Sequence, residues 1–371
     1  MSSKLFSPVR FRGLELPNRI VVSSMCQYDA EDGNAHDWHL MHLGQFAMGA
    51  AGLVMTEATH VSPEGRITHK CLGLWSDDNE RNLGRVVAFC RHYGVVRLGI
   101  QLAHAGRKAS VHPPQDGAHP LTAEEGAWQT VAPSAIPYAP DWHTPVALDA
   151  AGLDKVKADF VRAAERAVRL GFDLIELHMA HGYLGHEFLS PLSNRRDDAY
   201  GGSLQNRMRF PLELFEAVRA AIPDDLPLGV RVSASDWVDG GWTPEQTVGF
   251  AKALKAQGCD FVDVSSGGND RRQKIPLGPG YQVPFAARVR READIPTWAV
   301  GMITDPHQAE GIIRDGEADM VALARGVMFN PRWAWHAAEA LGAETAYAPR
   351  YMRAHPSNWP QVFPSRREAA D

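Results

Sequence analysis

Two histidines and a tyrosine are grouped in the segment His178-Met179-Ala180-His181-Gly182-Tyr183. Residues three apart in a helical turn hold their Cβ atoms about 5–6 Å from one another, so both imidazoles can donate an N–H to one oxygen. Such donors stabilise a carbonyl oxygen on which negative charge develops during a reaction. Tyr183 brings a phenol that can donate a proton in the same pocket. The segment therefore predicts chemistry on a carbonyl-containing substrate.

Two other interpretations of these histidines stay open, because they can be structural or can bind a metal ion. A catalytic zinc usually has three protein ligands. The sequence contains neither an H-E-x-x-H motif nor an obvious third ligand. Its four cysteines, Cys26, Cys71, Cys90 and Cys259, form no C-x-x-C pair, so we expect neither a zinc knuckle nor an iron–sulfur cluster.

Eight short apolar runs, each followed by a helix-like segment, have to position these residues. The runs cover residues 19–23, 53–57, 98–102, 174–178, 228–232, 261–265, 297–301 and 320–324. This alternation is typical of a parallel sheet covered by helices. Eight such units favour a closed (β/α)8 barrel, with an open doubly wound sheet as the alternative. We expect one domain over residues 1–345, capped at one end by an N-terminal hairpin, and a tail over residues 346–371.

Helix ends and one long connection can also be predicted. Apolar residues recur at helical spacing over residues 154–170, and Gly171 is a typical residue after a helix end. Thr243 and Pro244 are typical of the first positions of a helix. Residues 104–152, after the third run, are rich in Pro, Gly and Ala. Long insertions of this kind are usually functional, so we expect this one to cross the active-site face.

The ends of the barrel strands carry further candidate residues, because catalytic groups of such barrels lie there. Arg231 lies within the fifth run, and a guanidinium inside a barrel needs an anion. That anion is either a cofactor such as a reduced flavin, which carries charge near N1, or a barrel carboxylate such as Glu176 or Asp263.

Three other strand ends are informative. Gly301 ends the seventh run and Arg325 follows the eighth, where these barrels usually bind phosphate. Gly301 permits close backbone approach, and Arg325 supplies a charge for bidentate binding. Cys26 follows the first run and is either a small buried residue or a thiol that tunes a redox cofactor.

Composition limits the possible partners. The 371 residues have a formal net charge of −6, and their densest basic stretches, Arg271-Arg272 and residues 288–291, are short. This is unlike the basic footprint of a nucleic-acid-binding protein. The first residues lack the apolar core of a signal peptide, and no stretch approaches the roughly 20 apolar residues of a membrane span. We expect a cytoplasmic protein with a small-molecule substrate and no membrane or nucleic-acid partner.

Several motifs resemble the old yellow enzyme family of FMN-dependent ene-reductases, over almost the whole chain. The most specific is His178-x-x-His181-Gly182-Tyr183-Leu184, which continues into Phe188-Leu189-Ser190-Pro191 and Asn206-Arg207-x-Arg209-Phe210. Met25-Cys26-Gln27-Tyr28 and the segment from Gln101 to Lys108 look like the bacterial branch of thermophilic and xenobiotic-reducing members. Two features depart from the family: Ser24 replaces a common Pro, and Gly185-His186-Glu187 replaces a longer aliphatic residue and Gln.

The resemblance implies a homodimer or homotetramer that binds FMN and takes hydride from NADPH or NADH. The substrate would be an activated alkene, that is, an enone, enal or maleimide whose C=C bond is reduced. His178 and His181 would bind its carbonyl oxygen, and Tyr183 would donate the proton. Cys26 would tune the flavin potential. The other implied contacts are FMN contacts from Ser23, Ser24, Met25, Cys26, Ala58, Gln101, Arg231, Gly301, Ala324 and Arg325, and substrate contacts from Tyr28 and from Arg353 of a neighbouring subunit.

Two functions of other classes remain as alternatives. A barrel metallohydrolase would use His178 and His181 as metal ligands. A non-catalytic flavin-binding protein would hold FMN that NADPH does not reduce. Other flavin barrels, such as 2-hydroxy-acid oxidases, lack the His-x-x-His-Gly-Tyr element.

Overall fold

The computed structural model describes residues 2–359. The strands are β1 (Val9–Phe11), β2 (Leu14–Leu16), β3 (Ile20–Val22), β4 (Leu53–His60), β5 (Arg97–Ala103), β6 (Val131–Ala132), β7 (Val146–Ala147), β8 (Leu174–Met179), β9 (Leu228–Ser233), β10 (Val262–Ser265), β11 (Thr297–Ala299) and β12 (Met320–Leu323). The α-helices are α1 (Asp37–Ala47), α2 (Asp77–Tyr93), α3 (Ala150–Leu170), α4 (Leu184–Leu189), α5 (Leu204–Ala221), α6 (Pro244–Ala256), α7 (Val283–Ala293), α8 (Pro306–Arg314), α9 (Arg325–Phe329) and α10 (Trp333–Leu341).

Eight parallel strands form a closed barrel in the order β3, β4, β5, β8, β9, β10, β11 and β12. The ring closes where β12 pairs with β3, with Leu323 opposite Val22. Each predicted apolar run overlaps one of these strands. The (β/α)8 barrel is therefore confirmed, and the open doubly wound sheet is wrong.

The N-terminal hairpin closes one end of the barrel, as the sequence predicted. β1 and β2 pair antiparallel, with Arg10 opposite Glu15. Phe11 of the hairpin packs edge-on against Phe261 at 5.7 Å, and Phe261 stacks on Trp298 at 4.0 Å. These residues belong to a separate apolar cluster at this end of the barrel, so the opposite end is left to form the site.

The predicted end of α3 and the predicted start of α6 are found at the expected residues, whereas α3 begins earlier. α3 begins at Ala150, four residues earlier than predicted, because Asp149 accepts a hydrogen bond from Gly152 N at 2.8 Å. It ends at Gly171, whose φ of 78° is left-handed. Thr243 accepts a hydrogen bond from Gln246 N and caps α6, with Pro244 as the first helical residue. Local side-chain chemistry thus sets these helix boundaries.

The connection between β5 and α3 contains little regular structure, as expected. It includes two 3₁₀ turns, Gly106–Lys108 and Pro114–Asp116, and the short pair β6 and β7. Trp128 of this connection donates a hydrogen bond to Glu64 O at 2.9 Å. Its aromatic side chains pack beside Cys26 and Tyr183, which places it over the carboxyl ends of the strands.

After α10 the chain continues as a tail over the outside of the barrel. Trp335 of α10 stacks on Tyr347 at 4.2 Å and lies 6.2 Å from Tyr351. The predicted tail of residues 346–371 is described as far as residue 359, and the rest of it lies outside the described residues. Within residues 2–359 no helix is both long and apolar enough to cross a membrane.

Candidate active site

His178 and His181 come together at the carboxyl end of β8, with ring centroids 5.2 Å apart and planes at 89°. His178 belongs to the strand, whereas His181 lies in the following turn with a φ of 59°. The expectation that one helical turn pairs them was therefore wrong. A strand end followed by a left-handed turn brings the rings together instead. Gly182, with φ 72°, continues this turn, and a Cβ there would overlap Gly268 O.

Hydrogen bonds orient the two rings differently. Ala180 N donates to His178 Nδ1 at 3.2 Å, so the proton of a neutral His178 lies on Nε2 and can be donated. His181 Nε2 lies 2.7 Å from Ser265 Oγ, and His181 N donates to Ser233 Oγ at 2.9 Å. Burial, followed by the charge of Arg231, holds the pKa of both histidines well below the usual value. Both rings are therefore neutral at physiological pH.

Tyr183 lies directly beside this pair. Its ring is 5.1 Å from that of His178, and Lys108 Nζ lies 4.9 Å from its centroid. Burial, followed by the potential of Cys26, raises the pKa of Tyr183 well above its ordinary value. The phenol therefore keeps its proton until a stronger base forms next to it.

Cys26 and Tyr28 reach the same place from the loop after β3. Both pack, with Tyr183, against a small apolar cluster that includes Ile67 and Cys71. Burial, and then the charge of Glu57, raises the pKa of the Cys26 thiol well above its usual value. Burial also raises the pKa of Tyr28, and the neighbouring Cys26 and Tyr183 raise it further. The neutral thiol and the two neutral phenols line one wall of the site.

Charged side chains fill the barrel interior below this wall. Arg231 Nε lies 3.1 Å from Asp263 Oδ2, so the predicted pairing of Arg231 with a barrel carboxylate is found. Gln101 Nε2 donates to Glu176 Oε1 at 2.6 Å. Burial, and then Asp263, raises the pKa of Glu176 to about 8. Glu176 Oε2 and Asp263 Oδ1 have no hydrogen-bond partner among residues 2–359.

A cavity of about 410 Å³ opens beside these charges. Its walls include Ser23, Arg231, Gly301, Ala324 and Arg325. Gly301 has a φ of 117°, and a Cβ there would lie 3.1 Å from Gln282 Nε2. Two guanidiniums suit an anionic ligand, and the volume is in the range of a cofactor pocket.

Of the remaining predicted residues, Ser23 lines this cavity, whereas Met25, Ala58 and Arg353 do not. Ser23 is buried at the end of β3 and donates N–H to Leu323 O at 2.9 Å. Ala58 is buried in β4, and Met25 is partly buried against the main core. Arg353 is exposed in the 3₁₀ segment Pro349–Ala354 of the tail and does not line the cavity.

A family model described as NADH:flavin oxidoreductase / NADH oxidase matches residues 4–344. The chain belongs to this family. The resemblance to the old yellow enzymes is thereby confirmed. An NADPH dehydrogenase of Geobacillus sp. (strain WCH70) is 46% identical over 355 residues, covering 95% of this chain and 99% of the relative. The NADPH dehydrogenase of Bacillus subtilis (strain 168) is 43% identical over 355 residues with the same coverage.

Solved structures agree with the family. Morphinone reductase has a TM-score of 0.77 at 28% identity and covers 93% of this chain and 91% of its own. A 2-naphthoyl-CoA reductase has a TM-score of 0.82 at 22% identity, which shows the fold alone, and this chain spans 52% of its length. As a family member the protein is an oxidoreductase whose cofactor is FMN and whose hydride donor is a nicotinamide nucleotide.

The residues of the mouth fit FMN. Arg231 and Arg325 line the cavity and can hold negative charge there, and Gly301 contributes to the same wall. Ser24 Oγ is buried and has no hydrogen-bond partner among the described residues. A hydroxyl of this kind needs a partner, which a bound polar cofactor supplies. In contrast, residues 2–359 contain no group of three or more His, Cys, Asp or Glu arranged to bind a metal.

Lys108 and Ser265 lie at this site although they were not selected as candidates from the sequence. Lys108 Nζ donates to His181 O at 2.8 Å and to Gly268 O at 2.9 Å. Burial, and then Arg107, lowers the pKa of Lys108 to about 8. Ser265 is the last residue of β10 and contacts His181. The rule that functional groups lie at strand ends could have found Ser265, whereas Lys108 reaches the site from the long insertion.

The raised pKa of Cys26 predicts slow alkylation. In protein stripped of FMN, iodoacetamide at pH 8 should modify Cys26 at least about tenfold more slowly than a free cysteine, because less thiolate is present. Peptide mass spectrometry against time measures the rate. The same peptide in urea-unfolded protein is the control and should react at the free rate. Equal rates in the folded and unfolded protein would show that the site does not hold this thiol neutral.

Proposed function

We propose that this protein is an ene-reductase that transfers hydride from NADPH or NADH, through FMN, to the C=C bond of an α,β-unsaturated carbonyl compound. The observation that carries the proposal is the grouping of His178, His181 and Tyr183 beside a cavity with two arginines. The names of the relatives, NADPH dehydrogenase and morphinone reductase, support it. Enones, enals and maleimides are the substrate class.

Ten residues are proposed to hold the FMN. When bound, FMN supplies a two-electron carrier that alternates between the nicotinamide donor and the alkene acceptor. Arg231 would stabilise negative charge on the reduced ring system, since it is buried and close to the mouth. Gly301 and Arg325 would contact the phosphate. The other proposed contacts are Ser23, Ser24, Met25, Cys26, Ala58, Gln101 and Ala324.

The two histidines are proposed to bind the carbonyl oxygen of the substrate. His178 presents a proton on Nε2, because its Nδ1 accepts from Ala180 N. Ser265 Oγ lies 2.7 Å from His181 Nε2 and 3.3 Å from Gln282 Oε1. When the hydroxyl donates to His181, the proton of His181 stays on Nδ1 for the oxygen. Charge on that oxygen increases as the β-carbon is reduced, so these donors act mainly on the transition state.

The remaining wall residues have separate proposed roles. Tyr183 donates its proton to the α-carbon, which suits a phenol that stays protonated in the resting site. Tyr28 shapes the substrate pocket from the opposite loop. Cys26, a neutral thiol near the flavin position, tunes the flavin potential.

Removing both imidazoles tests the proposed oxygen site. His178→Ala combined with His181→Ala should abolish enone reduction, because the developing charge loses both donors. FMN absorbance should remain, since the ten residues proposed to hold FMN are unchanged in this variant. The measurement is NADPH-dependent reduction of cyclohexenone. His336→Ala on α10 is the matched control and should be fully active. Wild-type turnover in the double variant would disprove the role of the histidines.

Replacing the phenol tests the proton donor. Tyr183→Phe should slow the oxidative half-reaction by about 10²–10⁴-fold, the usual contribution of a general acid. Stopped-flow mixing of the reduced enzyme with cyclohexenone measures this step alone. Tyr200→Phe, whose hydroxyl donates to Glu213 away from the site, should react as wild type. An undiminished rate in Tyr183→Phe would reject the assignment.

We further propose a homodimer or homotetramer in which Arg353 completes the site of a neighbouring subunit. Arg353 is exposed on a tail that also exposes Tyr351 and Met352. Phe329 of α9 is 94% exposed, and Trp38 of α1 is also exposed. Apolar residues exposed in this way favour an interface between subunits.

Mixed oligomers test whether Arg353 contributes to the site of a neighbouring subunit or to the site of its own subunit. Arg353→Ala subunits and subunits with both His178→Ala and His181→Ala should each be impaired alone. Co-expressed with different affinity tags, they should form mixed dimers that regain activity, because one site then combines intact histidines with an intact arginine from its neighbour. Mixed dimers that form but stay inactive would contradict the exchange of Arg353.

A further inference from the structure

His186 and Asp236 form a fully buried pair, for which the proposed chemistry gives no role. His186 Nε2 lies 3.0 Å from Asp236 Oδ1, and both side chains have 0% exposure. His186 belongs to α4, and Asp236 lies in the loop that follows β9. Gly185 allows α4 to lie this close to β8, because a Cβ there would be 2.8 Å from Met179 Cγ.

The other ring nitrogen of His186 contacts the turn that carries the site. Gly182 N donates to His186 Nδ1 at 2.9 Å. Gly182 stands between His181, which would bind the substrate oxygen, and Tyr183, which would donate the proton. A backbone N–H can be accepted only by an unprotonated nitrogen. The proton of His186 therefore lies on Nε2 and faces Asp236.

Asp236 is itself held in place by three further donors, of which Asn269 Nδ2 is the most distant at 3.5 Å. Asp236 Oδ2 accepts from Ser190 Oγ at 2.5 Å and from Trp242 N at 2.8 Å. Burial raises the pKa of Asp236, but the contacts with His186, Ser190 and Trp242 outweigh burial and hold it below its usual value. Asp236 is thus an ionised acceptor whose Oδ2 is hydrogen-bonded and whose Oδ1 faces His186 Nε2.

The turn depends on this acceptor. His181 and Gly182 have φ values of 59° and 72°, and a left-handed conformation is costly for a histidine. Without His186 Nδ1, the buried N–H of Gly182 would lose its partner. The fixed ring therefore favours the one turn conformation in which both neighbouring side chains point into the site.

We propose that Asp236 and His186 are a positioning pair: Asp236 fixes the proton on His186 Nε2, and His186 thereby holds Gly182, His181 and Tyr183 in the orientation that binds and protonates the substrate. This inference rests on the proposed ene-reductase function. Neither residue contacts the substrate. Their effect passes through the Gly182 amide.

Asp236→Asn tests the pair with almost no change of shape. An amide has only one acceptor oxygen. If the Asn oxygen faces Trp242 N, the Asn NH2 group faces Nε2–H of His186. The His186 proton then moves to Nδ1, where it opposes the N–H of Gly182. If the Asn oxygen faces His186, the NH2 group opposes Trp242 N–H. In either orientation the substitution disrupts the turn or its anchor.

The readout is the affinity of FMN-loaded protein for p-hydroxybenzaldehyde, whose phenol oxygen takes the place of the substrate oxygen. Titration is followed by the absorbance of the flavin. Asp236→Asn should weaken binding by about a hundredfold, as displacements near 1 Å can, while FMN content stays unchanged. Asp319→Asn is the matched control, because Asp319 accepts from Thr297 N and Arg290 at the other end of the barrel. It should bind the phenol as wild type does.

A second pair of variants decides the question even if Asp236→Asn does not fold. His186→Asn keeps an acceptor at the distance of Nδ1, whereas His186→Gln places its amide at the distance of Nε2 and leaves Gly182 unpaired. The Asn variant should bind the phenol about tenfold more tightly than the Gln variant, in line with one buried hydrogen bond. If His186 only filled space, the Asn variant would not bind the phenol more tightly than the Gln variant.

The outcomes separate the two proposals. If wild-type protein neither binds the phenol nor reduces cyclohexenone, the proposed function fails. If the wild type does both, the proposed function stands. The positioning pair is then wrong if Asp236→Asn binds the phenol as tightly as the wild type, or if His186→Asn and His186→Gln bind it equally tightly.

Discussion

Closure of the barrel is the constraint on which the site depends. Pairing of β12 with β3 joins the last strand to the first and forces eight carboxyl ends to share one mouth. Ser23 and Arg325 therefore line one cavity although about 300 residues separate them. The hairpin packs against Phe261 and closes the opposite end. A ligand can consequently enter only at the end where the polar residues converge.

The charges inside this mouth distinguish it from an ordinary barrel core. A buried guanidinium is tolerated because Asp263 lies 3.1 Å away, and Glu176 is satisfied at one oxygen by Gln101. Above them His178, His181, Tyr183 and Cys26 are all held neutral by burial. A neutral rim of proton donors beside the Arg231–Asp263 ion pair suits a reaction in which charge appears transiently on a substrate oxygen.

The barrel and most of the mouth could be predicted because they depend on local signals. Alternating apolar runs indicate strands, and Gly171 and Thr243 mark helix ends by their own backbone and side-chain chemistry. The sequence predicted that His178 and His181 lie close together, but through a helical turn. In the structure, the end of β8 and the left-handed turn after it bring the two residues together.

Residues positioned by long-range packing could not be found in this way. Lys108 reaches His181 from 73 positions away in the chain, and Asp236 reaches Ser190 from 46. Neither separation follows the periodicity of a helix or a strand, so a sequence pattern could not predict these contacts. The proposed role of Arg353 depends on a neighbouring subunit, which a single sequence does not describe.

Whether FMN fills the mouth is tested most directly by an anaerobic spectral titration. Purified protein supplied with FMN should bind it, lose its yellow absorbance on addition of NADPH, and regain it when cyclohexenone is added. Folded protein that takes up no FMN would contradict the assignment of the mouth as a flavin site.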